Sequence, residues 1–251
     1  MRRRRCPAIV LRRWPYSENS LVVRALTPDV GTVSLLAKGV NRLKSGSLGI
    51  LDTWALVELE FGGPDGAEMQ NLYSCRLLDR MSGLSADQYR LAAAGVLAEL
   101  AELGSPPGQS AAALFLWLQS NLEQLANGAR SSSLLLAALL KGLVELGLQP
   151  ELDVPPGTPN DAQIWFSPAS GGVVSPPDRS RPDLHARRLS PTTLAVLRQL
   201  RDQPQKHLAA NLGEVEQCLT ILGEFLHYHL ERPPKAWHLL HRPAARTTCR
   251  P

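Results

Sequence analysis

Within the first fifty residues, Arg12, Arg13, Arg24, Lys38, Arg42 and Lys44 have the residue types and spacing to hold phosphate groups. Arg and Lys donate to anionic oxygens without reading any further chemistry, and Gly39 with Ser45-Gly46-Ser47 gives the last two a backbone that can come close to a ligand. The charge is local. Arg2 to Arg5 bring this segment to ten cations against Glu18 and Asp29, net +8, whereas the other 201 residues carry 17 basic and 21 acidic side chains, net −4. A field confined in this way calls for a polyanionic partner. The alternative for the same six cations is a solvated face. Arg2 to Arg5 read as a flexible arm, as an exposed tail, or as the product of a misassigned start codon.

Other residues with chemical potential are poorly placed for catalysis. There is no GxxxxGK[ST], no GxGxxG after a strand, no HExxH and no GxSxG, and nothing sets a base beside a nucleophile, so a non-enzyme is expected. His227 and His229 lie two apart on a predicted helix and point different ways, which favours polar surface over a metal site. Cys6, Cys75, Cys218 and Cys249 show no CxxC spacing and read as reduced thiols, with Cys218, among Leu219, Ile221 and Leu222, a buried inert one. Trp14 and Tyr16 have two readings, stacking on bases or packing in the core or between domains. With aromatic residues only 5% of the chain, backbone charge contacts are expected to carry most of any affinity.

The elements that must position these residues divide the chain in two, and the fold class reads as α+β. Five β-type runs, Ala8 to Arg13, Leu21 to Leu26, Thr32 to Lys38, Thr53 to Phe61 and Leu72 to Leu78, are separated by turn chemistry such as Thr27-Pro28-Asp29-Val30-Gly31 and Gly62-Gly63-Pro64-Asp65-Gly66. Five short strands in about seventy residues suit a small OB-type barrel, the expected nucleic-acid-binding domain at residues 1–80. From 81 to 240 the spacing turns helical. Ser85-x-x-Gln88 resembles a capping box before the run to Glu102, further helices fall at about Gln109 to Ala126, Ser133 to Leu146, Pro191 to Asp202 and Gly213 to Arg232, and Ser190-Pro191 is an N-cap and N1 pair. An all-α C-terminal domain is therefore expected. A proline-rich insertion at about 149–188 interrupts it, in which Ile164-Trp165-Phe166 and Gly171-Gly172-Val173-Val174 read as a packed hairpin, and residues 241–251 read as a tail. The apolar run Leu134 to Leu148 is too short to cross a bilayer and holds Lys141 and Glu145; no signal peptide is supported, and a cytoplasmic, nucleoid-associated protein is expected.

The runs Ala8-Ile9-Val10-Leu11, Tyr16-Ser17-Glu18-Asn19-Ser20-Leu21-Val22-Val23, Leu26-Thr27-Pro28 with Gly31, and Ala37-Lys38-Gly39-Val40 with Lys44-Ser45 resemble the start of the bacterial DNA repair protein RecO family. The likeness covers the first eighty residues and continues more loosely through the helical half, where Leu146-Gly147-Leu148-Gln149-Pro150 resembles the family's leucine-rich helix closed by Gly and Pro. The resemblance implies an OB barrel joined to a helical domain, and a recombination mediator that binds single- and double-stranded DNA and anneals complementary strands. It implies as partners RecR, RecF and the tail of single-strand-binding protein, acting together to load recombinase onto gapped DNA. Many members of the family carry a four-cysteine zinc site in the loop matching Leu148 to Pro182; this chain has no cysteine between Cys75 and Cys218, so no structural zinc and no other cofactor is expected. The competing reading is a protein-interaction adaptor whose basic barrel holds acidic tails of its partners, and a weaker third is an OB protein linked to RNA.

Overall fold

The computed structural model describes residues 2–40, 49–64, 67–128, 132–159, 163–176, 183–203 and 212–240. It divides into two compact units, one built chiefly from residues 1–129 and one from 130–237. The first contains β1 (Arg2–Ser17), β2 (Ser20–Thr27), β3 (Gly31–Lys38), β4 (Leu56–Gly63) and β5 (Gln70–Asp79), closed in the order β1-β2-β3-β5-β4. All neighbours are antiparallel except β3 and β5, which run parallel at Leu35↔Gln70 and Leu36↔Asn71. This is an OB-type barrel. Period-2 alternation turns Ala8 and Val10, Val23 and Ala25, and Leu59 and Phe61 inward to a closed core. Ile9, Leu11, Val22 and Leu26, on the opposite faces of β1 and β2, are buried as well, because helices pack there.

Three features of this unit differ from the sequence reading. Arg2 to Arg5 are not a loose arm: they open β1 and pair with Gly63 to Glu60 of β4. The strand expected from Thr53 begins only at Leu56, because Trp54 takes a left-handed backbone (φ 67°) while its amide donates to the Val10 carbonyl at 2.6 Å, beside the irregularity between Val10 and Arg12 of β1. The capping box at Ser85 does not form. Ser85 instead donates to Ser82 within a 3-10 turn, Ser82–Ala86, and α1 (Gln88–Leu103) is capped by Asp87, whose carboxylate accepts from the Tyr89 amide at 2.9 Å. The segment joining α1 to α2 (Ala112–Ala126) docks on the β2–β3 turn, with amides of Gly108 and Ala111 donating to Val30 and Pro28 and the Thr32 hydroxyl donating to Ser105. Gly31 is required at that contact: its φ is +64°, and a Cβ there would stand 2.4 Å from the Pro106 carbonyl oxygen.

The second unit packs α3 (Ser132–Glu145), α4 (Pro191–Asp202) and α5 (Leu212–His229) with a three-stranded sheet of β6 (Ile164–Ser167), β7 (Gly172–Val174) and β8 (Arg187–Leu189) in the order β7-β6-β8. The expected cap of α4 is present, the Ser190 hydroxyl accepting from the Thr193 amide at 3.0 Å with Pro191 in the first turn. The sheet exceeds the expected hairpin by one strand, since Arg187–Leu189 pairs with the outer edge of Ile164–Ser167. Phe166 anchors it against Phe225 of α5, ring centroids 6.0 Å apart, and His229 donates to the Pro168 carbonyl at 2.9 Å.

Candidate nucleic-acid interface

Of the six basic residues, the four that are described fall into two settings. Arg12 and Arg24 face each other across the β1–β2 ladder, an arrangement that by itself is repulsive. Glu102, in the last turn of α1, resolves it by binding both guanidinium groups, Arg12 at 2.7 Å and Arg24 at 3.3 Å. Arg24 is held further by the hydroxyls of Ser34 (2.9 Å) and Thr32 (3.0 Å), so its fork is filled by protein oxygens. These two cations fasten helix to barrel.

The opposite end of β1 and β2, at the Glu18-Asn19 turn, is built differently. Arg13 pairs with Asp52 at 2.9 Å, and Arg80, just past β5, binds the same carboxylate at 2.9 Å. Lys38 closes β3 across from Ser20 and is exposed. Arg42 and Lys44 lie outside the described residues, in the connection that leaves this end toward β4. Trp14 and Tyr16 project here with 44% and 61% of their surface in solvent, which removes the core-packing reading for both. The structure thus gathers Arg13, Lys38 and Arg80 near two exposed aromatics, against Asp52 and Glu18.

A second charged face runs across the first half of β1, β4 and β5. Arg3 reaches Glu60 at 3.3 Å and lies 4.5 Å over the Tyr73 ring. Arg5 binds Glu58, which also takes Arg76 at 3.4 Å, and Ser74 donates to Glu60 at 3.2 Å. The hydrogen bond from Arg5 holds the Glu58 carboxyl below the ordinary range, and in return raises the Arg5 guanidinium. Arg3, Arg5, Arg12, Arg13 and Arg24, half of the ten cations of the opening, are therefore paired within the protein. Arg4 lies at the mouth of a cavity of about 470 Å³ with Thr32, Ser34, Glu68 and Gln70, and has no ion pair among the described residues. Sequence reasoning missed these carboxylates, although Arg3-x-Arg5 and Glu58-x-Glu60 share a period-2 spacing that would set them on matching strand faces.

The remaining candidates for chemistry are quiet. Burial pushes the Cys6 thiol up to about 11 and the Cys218 thiol up to about 12, so neither is a thiolate at neutral pH. The His227 ring bonds the Gly223 carbonyl, while His229 turns to Pro168. No group of three metal-ligating side chains comes together among the described residues. The donor set around β6 to β8 does not fit a four-thiolate zinc site, because the chain holds no cysteine from 76 to 217. No helix among the described residues is long and apolar enough to cross a membrane.

Two family models match the chain, "Recombination protein O N terminal" over residues 1–81 and "Recombination protein O C terminal" over residues 85–238. The chain is similar to the DNA repair protein RecO of Anaeromyxobacter dehalogenans strain 2CP-1, with 30% identity over 246 residues that cover 92% of this chain and 93% of the relative. It is also similar to the DNA repair protein RecO of Rhodopirellula baltica, 31% identical over 204 residues (79% and 75% covered), and to that of Dehalococcoides mccartyi strain CBDB1, 26% identical over 235 residues (91% of each).

Proposed function

The chain belongs to the recombination protein O family, which gives it a role in DNA repair and recombination, and on that premise we propose that it is a mediator that binds and anneals DNA through the end of its barrel at the Glu18-Asn19 turn. The observation that carries this is the setting of the cations: Arg24 is three-quarters buried with its fork filled by Glu102, Ser34 and Thr32, while Lys38 is exposed, and Arg13 and Arg80 share the single carboxylate of Asp52, at the end from which the Arg42 and Lys44 segment departs. Cations at one barrel end neutralise two complementary strands together and lower the repulsion between them. Phosphate contacts of this kind are independent of sequence. In this reading the protein works with RecR, RecF and single-strand-binding protein to load recombinase at gaps, and performs no catalysis.

About five phosphate contacts would make log K for single strands fall with log salt at a slope near −3.5, from roughly −0.7 per contact. The test is fluorescence anisotropy of a labelled oligonucleotide across a salt series. Arg13→Ala, Lys38→Ala, Arg42→Ala and Lys44→Ala each flatten the slope by about 0.7, whereas Arg12→Ala leaves it unchanged. A slope near zero in the parent protein defeats the reading.

One observation favours the adaptor reading as a complement. In the second unit a groove of about 200 Å³ between the C-terminal turns of α3 and α4 is lined by Leu140, Val144, Pro150, Leu152 and Leu200, with Lys141, Glu145 and Arg201 also lining it and Arg201 paired to Asp153 and Asp202. Such a groove could seat a segment of a partner protein, as the adaptor reading requires.

A further inference from the structure

The reading above treats DNA as a string of phosphates, yet the same barrel end carries features that charge alone does not explain. Cross-strand pairing aligns the outward side chains of β1, β2 and β3 in rows: Arg12, Arg24 and Ser34 in one, then Trp14, Val22 and Leu36. The first row is covered by Glu102 of α1. In the next, Val22 is buried and Leu36 partly so, yet Trp14 stays 44% exposed, and Tyr16, at the irregularity between Pro15 and Ser17, is 61% exposed. Neither ring has a hydrogen-bond or ring partner among the described residues. Two adjacent large aromatics held open on a paired strand cost hydrophobic burial, and an unoccupied face would be served better by polar residues.

We infer that Trp14 and Tyr16 form a base-stacking platform that selects single-stranded over double-stranded nucleic acid; this rests on the proposal that the barrel end at the Glu18-Asn19 turn is the DNA site. The accessible ring faces set the selection. Successive bases of an extended single strand can each meet a ring, whereas stacked bases in a duplex offer no face to enter. Because Trp14 and Tyr16 stand on a strand paired to β2 up to Ser17↔Ser20, the platform is pre-formed and its ordering cost is small. Arg13 and Lys38, on either flank, supply the cations for the phosphates between those bases, and Glu18 at the turn is the acid that an incoming strand must pass. The same stacking gives annealing a direction. A strand is held while unpaired and is released as its bases turn inward to a complement.

The test compares the intact protein with Trp14→Leu/Tyr16→Leu and with Trp14→Phe/Tyr16→Phe, measuring affinity for a labelled oligo-dT and for a duplex of equal length at one salt concentration. Stacking is worth enough per base that the Leu pair should weaken oligo-dT binding at least about tenfold and leave duplex binding within about twofold, with an unchanged salt slope. The Phe pair should retain most of the oligo-dT affinity. Both side chains are exposed, so circular dichroism and the unfolding midpoint should match the parent. If the Leu pair binds oligo-dT like the parent, or loses duplex affinity equally, the platform is wrong while the phosphate reading stands. If the parent binds neither nucleic acid, both are overturned.

Discussion

Removing the Glu102 carboxylate without changing its shape, as in Glu102→Gln, leaves Arg12 and Arg24 directly opposed on neighbouring strands with no anion between them. Arg12 is half-exposed, and its lost ion pair is screened to below about 1 kcal/mol. Arg24 is three-quarters buried and keeps Ser34 and Thr32, so its loss is a charged hydrogen bond of about 1.5 kcal/mol. Unmasked repulsion across the strand pair adds several tenths. The total is about 2–3 kcal/mol, which would lower the unfolding midpoint of a chain this size by about 4–10 °C. Urea unfolding gives the free energy, and a double-mutant cycle with Arg12→Gln isolates the repulsion: in that background Glu102→Gln should cost at least about 0.5 kcal/mol less. Affinity for DNA should not fall in Glu102→Gln, because the freed guanidinium groups add positive charge. A loss under about 0.5 kcal/mol, or strict additivity in the cycle, refutes the view that Glu102 is the clamp that takes these arginines out of the interface.

Gly31→Ala combines a left-handed backbone with a 2.4 Å approach to Pro106, and should destabilise the barrel by about 2 kcal/mol or more, read by urea unfolding. Glu58 has a lowered folded pKa, so the stability it supplies is present above its ordinary value of 4.5 and is lost as pH falls through the folded one; the stability difference between parent and Glu58→Gln should therefore vanish on acidification below pH 4.5. Phe166→Ala should cost about 3–5 kcal/mol, since the ring is buried and seats the β6–β8 sheet on Phe225, while treatment of the parent with a chelator should not move its unfolding midpoint. At pH 8 a disulfide reagent should leave Cys6 and Cys218 unmodified in the folded protein, because their thiols are raised to about 11 and 12, and should reach them only in denaturant.

The barrel was legible because its evidence is local: alternation within Leu21 to Leu26 and Thr32 to Lys38 and the turn at Thr27 to Gly31 need no knowledge of the rest of the chain. The start of β1 was not. Four consecutive arginines read as an arm until Glu58 and Glu60 are known to lie alongside them, and that pairing joins residues more than fifty positions apart. The ion pairs of Arg12 and Arg24 with Glu102 were illegible for the same reason, because nothing in Ala-Glu-Leu-Gly at the end of α1 shows that its carboxylate reaches back across the chain. The α1 start was missed by two residues because Ser85 satisfies the capping pattern as well as Asp87 does, and only the preceding turn decides between them. Trp14 and Tyr16 could be placed only once their exposure at the end of β1 was known.

Annealing of two complementary oligonucleotides by the purified protein alone, followed across a salt series beside Arg42→Ala/Lys44→Ala, tests the central claim most directly. The account predicts annealing that is strong at low salt, fades as salt rises, and is weakened by the double variant. A folded parent protein that gives no annealing at low salt would contradict it and move the weight to the adaptor reading.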